Sequence, residues 1–213
     1  MRHAPALFAA LLALSPVAAH AQHEGHAHEA APPATSGPRA PRLPAAEESA
    51  LDVLNHSPRH GEYIDVPVPN DVTLRTWVSY PERKDKAGVV ILIHEIFGLS
   101  DWIRAVADQF AAEGFIAVVP DLVTGLGPNG GGTESAASRD SVVAMVRRLT
   151  PEMSTRRLDA VRAWATKEPA ANGRVGTVGF CWGGGRSFAY ATSPGTLDAA
   201  VVYYGASPDS AAV

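Results

Sequence analysis

Gly179-Phe180-Cys181-Trp182-Gly183-Gly184 is the segment of this chain whose residue types and spacing best suit covalent chemistry. An apolar stretch from Arg174 to Phe180 leads into it, with the character of a buried strand, and a helix-compatible run follows. A nucleophile with glycine two positions before and two after it fits a sharp strand-to-helix turn, where neighbouring backbone comes too close for a side chain. Such a turn lifts the thiol above the strand end. It also sets the thiol at a helix N-terminus, whose open N–H groups and dipole favour the reactive, deprotonated form. Glycines at this spacing also serve plain strand–helix packing, with cysteine as filler, or nucleotide binding. A nucleotide fingerprint is disfavoured because cysteine stands where pyrophosphate needs glycine, and there is no Walker lysine.

The second chemical segment is His94-Glu95-Ile96-Phe97-Gly98-Leu99, directly after the apolar run Gly88 to Ile93. With a nucleophile elbow, one oxyanion N–H comes from a loop of this kind and the other from the residue after the nucleophile. That assigns the hole to the backbones of Ile96 and Trp182. Glu95 ends a very apolar strand, so its carboxylate either faces the cleft or makes a structural ion pair.

These groups need elements to hold them. Tyr63 to Val68 and Val72 to Tyr80 alternate apolar and polar around Pro69-Asn70-Asp71, as an antiparallel pair with one wet face does. Gly88 to His94, Phe115 to Pro120, Arg174 to Phe180 and Ala199 to Tyr204 are continuous apolar runs, the mark of strands buried on both faces. Ser100 or Asp101 caps a helix through Ile103, Val106, Ala107 and Phe110. A Gly-rich loop precedes a helix through Val142, Val143, Val146 and Leu149. Thr150-Pro151 then starts another through Leu158, Val161, Trp164 and Ala165, with proline at the first helical position. A last helix begins at about Gly183. A hairpin leading into repeated strand–helix units predicts an α/β fold with a doubly wound, mostly parallel sheet.

Composition bounds the rest. The chain has 213 residues, 46% of them hydrophobic and 19% charged, with a net charge of −4. There is room for a substantial core and no basic field for nucleic acid. Residues 1–21 read as an export signal: Arg2 and His3, the apolar run Ala6 to Leu14, and Ala19-His20-Ala21 as a cleavage site. The run is too short to span a bilayer, so no membrane span is expected after cleavage, and the periplasm or the exterior is the expected location. The chain holds one cysteine, so no intramolecular disulfide forms, and a lone thiol in an oxidising compartment calls for a reason. Residues 22–50 form a His-, Pro- and Ala-rich arm without periodic apolar residues, expected to be a flexible linker to a domain over 51–213. His20, His23, His26 and His28 could hold copper or zinc loosely. A solvated tether is the plainer reading, because no scaffold fixes their geometry, so no metal site is assigned.

Together the motifs resemble the dienelactone hydrolase family of α/β-hydrolases. The resemblance rests on His94 to Leu99, Val119-Pro120-Asp121-Leu122, Gly173 to Gly184 and Val202 to Gly205, and covers roughly residues 60–207. It implies an ester or lactone hydrolase acting on a small molecule through a cysteine nucleophile, without cofactor, and a monomer is expected. It implies that Glu95 contacts the thiol and helps deprotonate it. It also matches Arg139, by ungapped counting, to an arginine that holds a substrate carboxylate; by type and place alone Arg139 reads as a solvated helix-face residue.

One part of the triad order, nucleophile then acid then histidine, is not met. All eight histidines lie at or before His94, and Asp198 and Asp209 are the only carboxylates after Cys181. Asp198 opens the last strand, too early for the acid, and Asp209 follows it. The chain is therefore expected to be a truncated hydrolase lacking its C-terminal strands and helices, and crippled for that reason. His94 lies in the right neighbourhood for a substitute base, but chain order disfavours it. Two rivals stand beside the hydrolase: a degenerate hydrolase fold used as a binding module, and a periplasmic metal-handling protein led by the His-rich arm.

Overall fold

The computed structural model describes residues 44–193, 195 and 197–208. The export segment, the histidines of the arm and Asp209 lie outside them. Six strands form one mixed sheet in the order β1-β2-β4-β3-β5-β6. Strands β1 (Gly61–Pro67) and β2 (Thr73–Ser79) pair antiparallel, and β2 runs antiparallel to β4 (Ile116–Pro120). Strands β3 (Ala87–Ile93), β4, β5 (Ala171–Phe180) and β6 (Ala199–Tyr203) are parallel. The α/β architecture with a mostly parallel sheet is as expected.

Burial on both faces explains the continuous apolar runs of β3, β4 and β5. Strand β6, expected to be buried in the same way, is instead exposed, because among the described residues it is an edge strand paired only with β5. Val89, Ile91 and Ile93 of β3 join a core with α3 (Arg139–Val146) and α4 (Pro151–Ala165). Val90 and Leu92, the alternate residues, pack against Ile103, Val106 and Ala107 of α2 (Asp101–Ala112). A strand whose successive side chains point to opposite faces must be apolar throughout when helices cover both. The helix starts follow their caps. Ser100, rather than Asp101, accepts the Ile103 N–H; Thr150 accepts that of Met153 at 3.2 Å, with Pro151 in the first turn. Helix α5 (Trp182–Thr192) begins one residue ahead of expectation, directly after Cys181.

Residues 44–50, assigned by composition to the linker, lie within the described structure. Glu47–Ser49 is a single 3-10 turn, and Ala50, fully buried, starts the short helix α1 (Ala50–Asn55) against α2. Six residues are too few for a periodic signal, so composition alone hid them. Asp108 of α2 ties down the segment beyond α1, accepting from Ser57 Oγ and from the Arg59 guanidinium.

A second clamp closes the carboxyl end of the sheet. Arg157 is 1% exposed; it donates to both oxygens of Asp71 in the β1–β2 turn, at 2.9 and 3.0 Å, and to the carbonyls of Leu122 and Thr124. At the opposite flank β6 is exposed along its whole length, Tyr203 by 48%. Among the described residues no helix is long and apolar enough to cross a membrane.

Candidate active site

Cys181 sits between the last residue of β5 and the first of α5 with φ 54° and ψ −118°, a left-handed backbone that costs a side-chain-bearing residue on the order of 1–3 kcal/mol. The neighbours show what enforces it. A Cβ at position 179 would run into the carbonyl of Gly183, and one at 183 into the carbonyl oxygens of Ile93 and His94. Both glycines are required by close approach, and the second packs the elbow directly onto the end of β3. The Cys181 N–H donates to Tyr203 O at 3.0 Å, which ties the elbow to β6 as well. The thiol is free and half-buried.

Trp182 is the first residue of α5, where a helix has no internal acceptor for its N–H. That leaves its amide open to an incoming oxyanion. Its ring stacks on His94 with centroids 5.6 Å apart and planes 16° from parallel. Ile96 lies in the loop between β3 and α2. Two contacts brace this loop: Gly98 N–H donates to Glu95 O at 3.3 Å, and Leu99 N–H to Thr133 Oγ1 at 2.9 Å.

Thr133 in turn is held by Asp121, whose two carboxylate oxygens accept its N–H and its hydroxyl, both at 2.7 Å. Asp121 is fully buried at the end of β4. In the sequence Asp121 stands out only as part of the Val119–Leu122 motif, and Thr133 carries no signal of its own. A carboxylate directly after a buried strand was the available signal, but its partner lies 12 residues away in an irregular loop. Gly98 belongs to the same brace: its φ is +67°, and a Cβ there would meet Thr133 Oγ1.

Glu95 is half-buried in this loop. Burial, reinforced by the charge of Glu47 and opposed by Arg139, holds its carboxyl above the ordinary carboxylate range. The Tyr204 phenol is likewise pushed up, by partial burial and then by the charges of Glu95 and Cys181. Arg139 starts α3 and reaches the same loop, with its guanidinium 3.9 Å above the Phe97 ring and 2.7 Å from Glu47.

His94 is excluded as a base by its own bonds. It is fully buried, its Nε2 accepts the Leu122 N–H at 3.2 Å, and its Nδ1 lies 2.7 Å from Glu95 O. Acceptance at Nε2 puts the proton on Nδ1, which donates to that carbonyl. Burial keeps the ring neutral by lowering its pKa. Both nitrogens are thus engaged in shaping the loop. The other described histidines, His56 and His60, precede β1, at the end of the sheet opposite the elbow. Asp198 is engaged at that far end too, exchanging bonds with the backbone of Val175. Among the described residues no group of three or more His, Cys, Asp or Glu side chains is placed to hold a metal ion.

Comparison with known proteins adds to this geometry. Residues 74–212 match the profile of the dienelactone hydrolase family. The chain is 33% identical over 131 residues to the "Putative carboxymethylenebutenolidase" of Salmonella typhi, covering 61% of this chain and 47% of that protein. It is 32% identical over 126 residues to the carboxymethylenebutenolidase of Pseudomonas putida, covering 57% and 52%. The chain thus spans about half the length of the curated relatives it matches. Among solved structures, a "Putative Dienelactone Hydrolase" from Klebsiella pneumoniae superposes with a TM-score of 0.60 at 25% identity, covering 69% of this chain and 60% of that one. An acylaminoacyl peptidase from Pyrococcus horikoshii, at 21% identity and TM-score 0.52, covers 76% and 25% and shares the fold.

Proposed function

The chain belongs to the dienelactone hydrolase family, and on that premise we propose that its protein is an ester or lactone hydrolase with Cys181 as nucleophile. The observation that carries this is the elbow. Cys181 is the one cysteine of the chain, and it occupies a strained left-handed turn that two sterically required glycines maintain at a helix N-terminus. Strain kept at a half-exposed nucleophile is a feature of catalytic turns, whereas a packing cysteine has no need of it.

In this mechanism the Cys181 sulfur attacks the substrate carbonyl. The N–H groups of Ile96 and Trp182 stabilise the developing oxyanion, a contribution worth about 3 kcal/mol per donor in comparable sites. The tetrahedral intermediate collapses with cleavage of the C–O bond, and the departing alkoxide takes up the proton that came from the thiol to leave as the alcohol. Water then hydrolyses the thioester to the carboxylic acid and the free thiol. Glu95 takes the thiol proton. A carboxyl held above the ordinary range is a stronger base than a solvated glutamate, so the burial that raises it suits that role. No organic cofactor or metal enters any of these steps. Export by residues 1–21 belongs to the same proposal and rests on their sequence alone.

The test is the acyl-enzyme burst. Mixing the protein with an aryl ester is expected to release one equivalent of phenol per Cys181 in a fast phase, which iodoacetamide pretreatment and Cys181→Ala both abolish. A burst that survives in Cys181→Ala would reject the nucleophile. An alkylatable thiol that gives no burst, even in a full-length protein, would favour the binding-module alternative.

A further inference from the structure

Glu47 reaches the site from a distant part of the chain. It is carried on the 3-10 turn that the buried Ala50 anchors, and it lies 92 residues from Arg139 in sequence. Its carboxylate faces the guanidinium as a fork: Oε1 lies 2.7 Å from Nη1, and Nη2 donates to Oε2 at 3.4 Å. That is the planar, two-point match by which arginine recognises carboxylates in general. The Phe97 ring supports the other face of the guanidinium at 3.9 Å, holding it over the loop that carries Glu95 and Ile96.

The family resemblance matches Arg139 to an arginine that holds a substrate carboxylate. From this arrangement we infer that Glu47 is a built-in competitor for that guanidinium, which stands over the loop next to the Cys181 elbow. Glu47 thereby biases the site toward uncharged esters and away from carboxylate-bearing ones. The inference rests on the reading of Cys181 as the reactive group.

Exposure sets the size of the effect. The side chains of Arg139 and Glu47 are 56% and 58% exposed, so the pair is screened and exchanges readily. Exposed pairs contribute roughly 0.2–1 kcal/mol, and displacing this one handicaps an incoming carboxylate by no more than about fivefold. A second effect acts in the same direction. Glu47 places a negative charge beside the loop that carries Glu95, and removing it makes the surroundings of Arg139 less repulsive to anions.

The experiment compares alkylation of Cys181 by iodoacetate and by iodoacetamide, one anionic and one neutral. In both reactions sulfur displaces iodide, a C–S bond forms, and the thiol proton passes to solvent, so the rate ratio reports local charge independently of ester turnover. Glu47→Gln is expected to raise the iodoacetate-to-iodoacetamide ratio about threefold at low salt. Glu48→Gln, which removes the same charge outside the pair, is expected to change it by less than half as much. Arg139→Gln is expected to lower the ratio and to cancel the effect of Glu47→Gln in the double variant. Equal effects of Glu47→Gln and Glu48→Gln, or an effect that persists without Arg139, would overturn the inference. Reaction of Cys181 with an unchanged ratio overturns it while leaving the nucleophile in place; a thiol that neither reagent modifies removes both.

Discussion

Two arginine–carboxylate groups lie at the carboxyl end of the sheet, and they use the same chemistry differently. Arg157 is buried and has Nε and both Nη atoms engaged, on Asp71 and on the carbonyls of Leu122 and Thr124. Arg139 stands more than half exposed over an aromatic ring, with one carboxylate on its open edge. A buried guanidinium with all three nitrogens engaged holds the fold. One whose partner is exchangeable can take part in recognition. Asp121 and Glu95 repeat the contrast at the ends of neighbouring strands. Asp121 is saturated by Thr133 and shapes a loop, whereas Glu95 is half-buried, with its proton held more tightly than usual.

The sharpest way to break this contrast is Asp71→Asn. It leaves the Arg157 charge buried without its counterion and is expected to cost about 3–5 kcal/mol in urea unfolding, with alkylation of Cys181 unchanged well below the transition. Equal loss of thiol reactivity in the folded protein would show that the two groups are not separable. Glu95→Gln is expected to do the reverse. The acyl burst slows by about 100-fold, while stability near neutral pH stays within about 0.5 kcal/mol.

Gly183→Ala tests whether the elbow belongs to fold or to site. The added methyl meets backbone oxygens that cannot rotate away, so a loss of roughly 1–3 kcal/mol is expected. A larger proportional loss in Cys181 alkylation should accompany it, because small displacements of a reacting group are costly.

The smallest effect is a difference in pH response. Asp71 is held below the ordinary carboxylate range, first by its bonds from Arg157. Its contribution is therefore complete above the ordinary aspartate pKa and is lost as pH falls through the lowered folded value. Glu95 is raised, so ionisation costs stability, and the cost appears as pH rises through its folded value. Urea midpoints across the acid range should show the Asp71 loss in the wild type and in Glu95→Gln alike. Only the wild type should show the small decline associated with Glu95.

Much of this was legible in the chain because its causes are local. Ser100 and Thr150 cap helices by bonding N–H groups three residues on, and the runs of β3 and β4 are apolar because both faces of the sheet are covered there. The contacts that complete the site were not legible. Asp71 meets Arg157 across 86 residues, His94 meets the Leu122 N–H across 28, and α1 gains its place only by packing on α2. Such pairings leave no periodic trace, since the intervening chain is free to vary in length and composition.

The residues around Cys181 carry the elbow's signature in the sequence, but its cause is only partly local. Position 179 is closed by the Gly183 carbonyl within the turn, and position 183 by the carbonyls of Ile93 and His94 at the end of β3. Whether Glu95 turned toward the cleft or into a structural pair was open in the sequence. So was whether Arg139 stood alone in solvent. Tertiary structure decided the second, by bringing Glu47 from the N-terminal turn to the Arg139 guanidinium on α3, and it half-buried Glu95, which raises its pKa. The charge environment of a group depends on what folding places beside it, and side-chain type does not encode that.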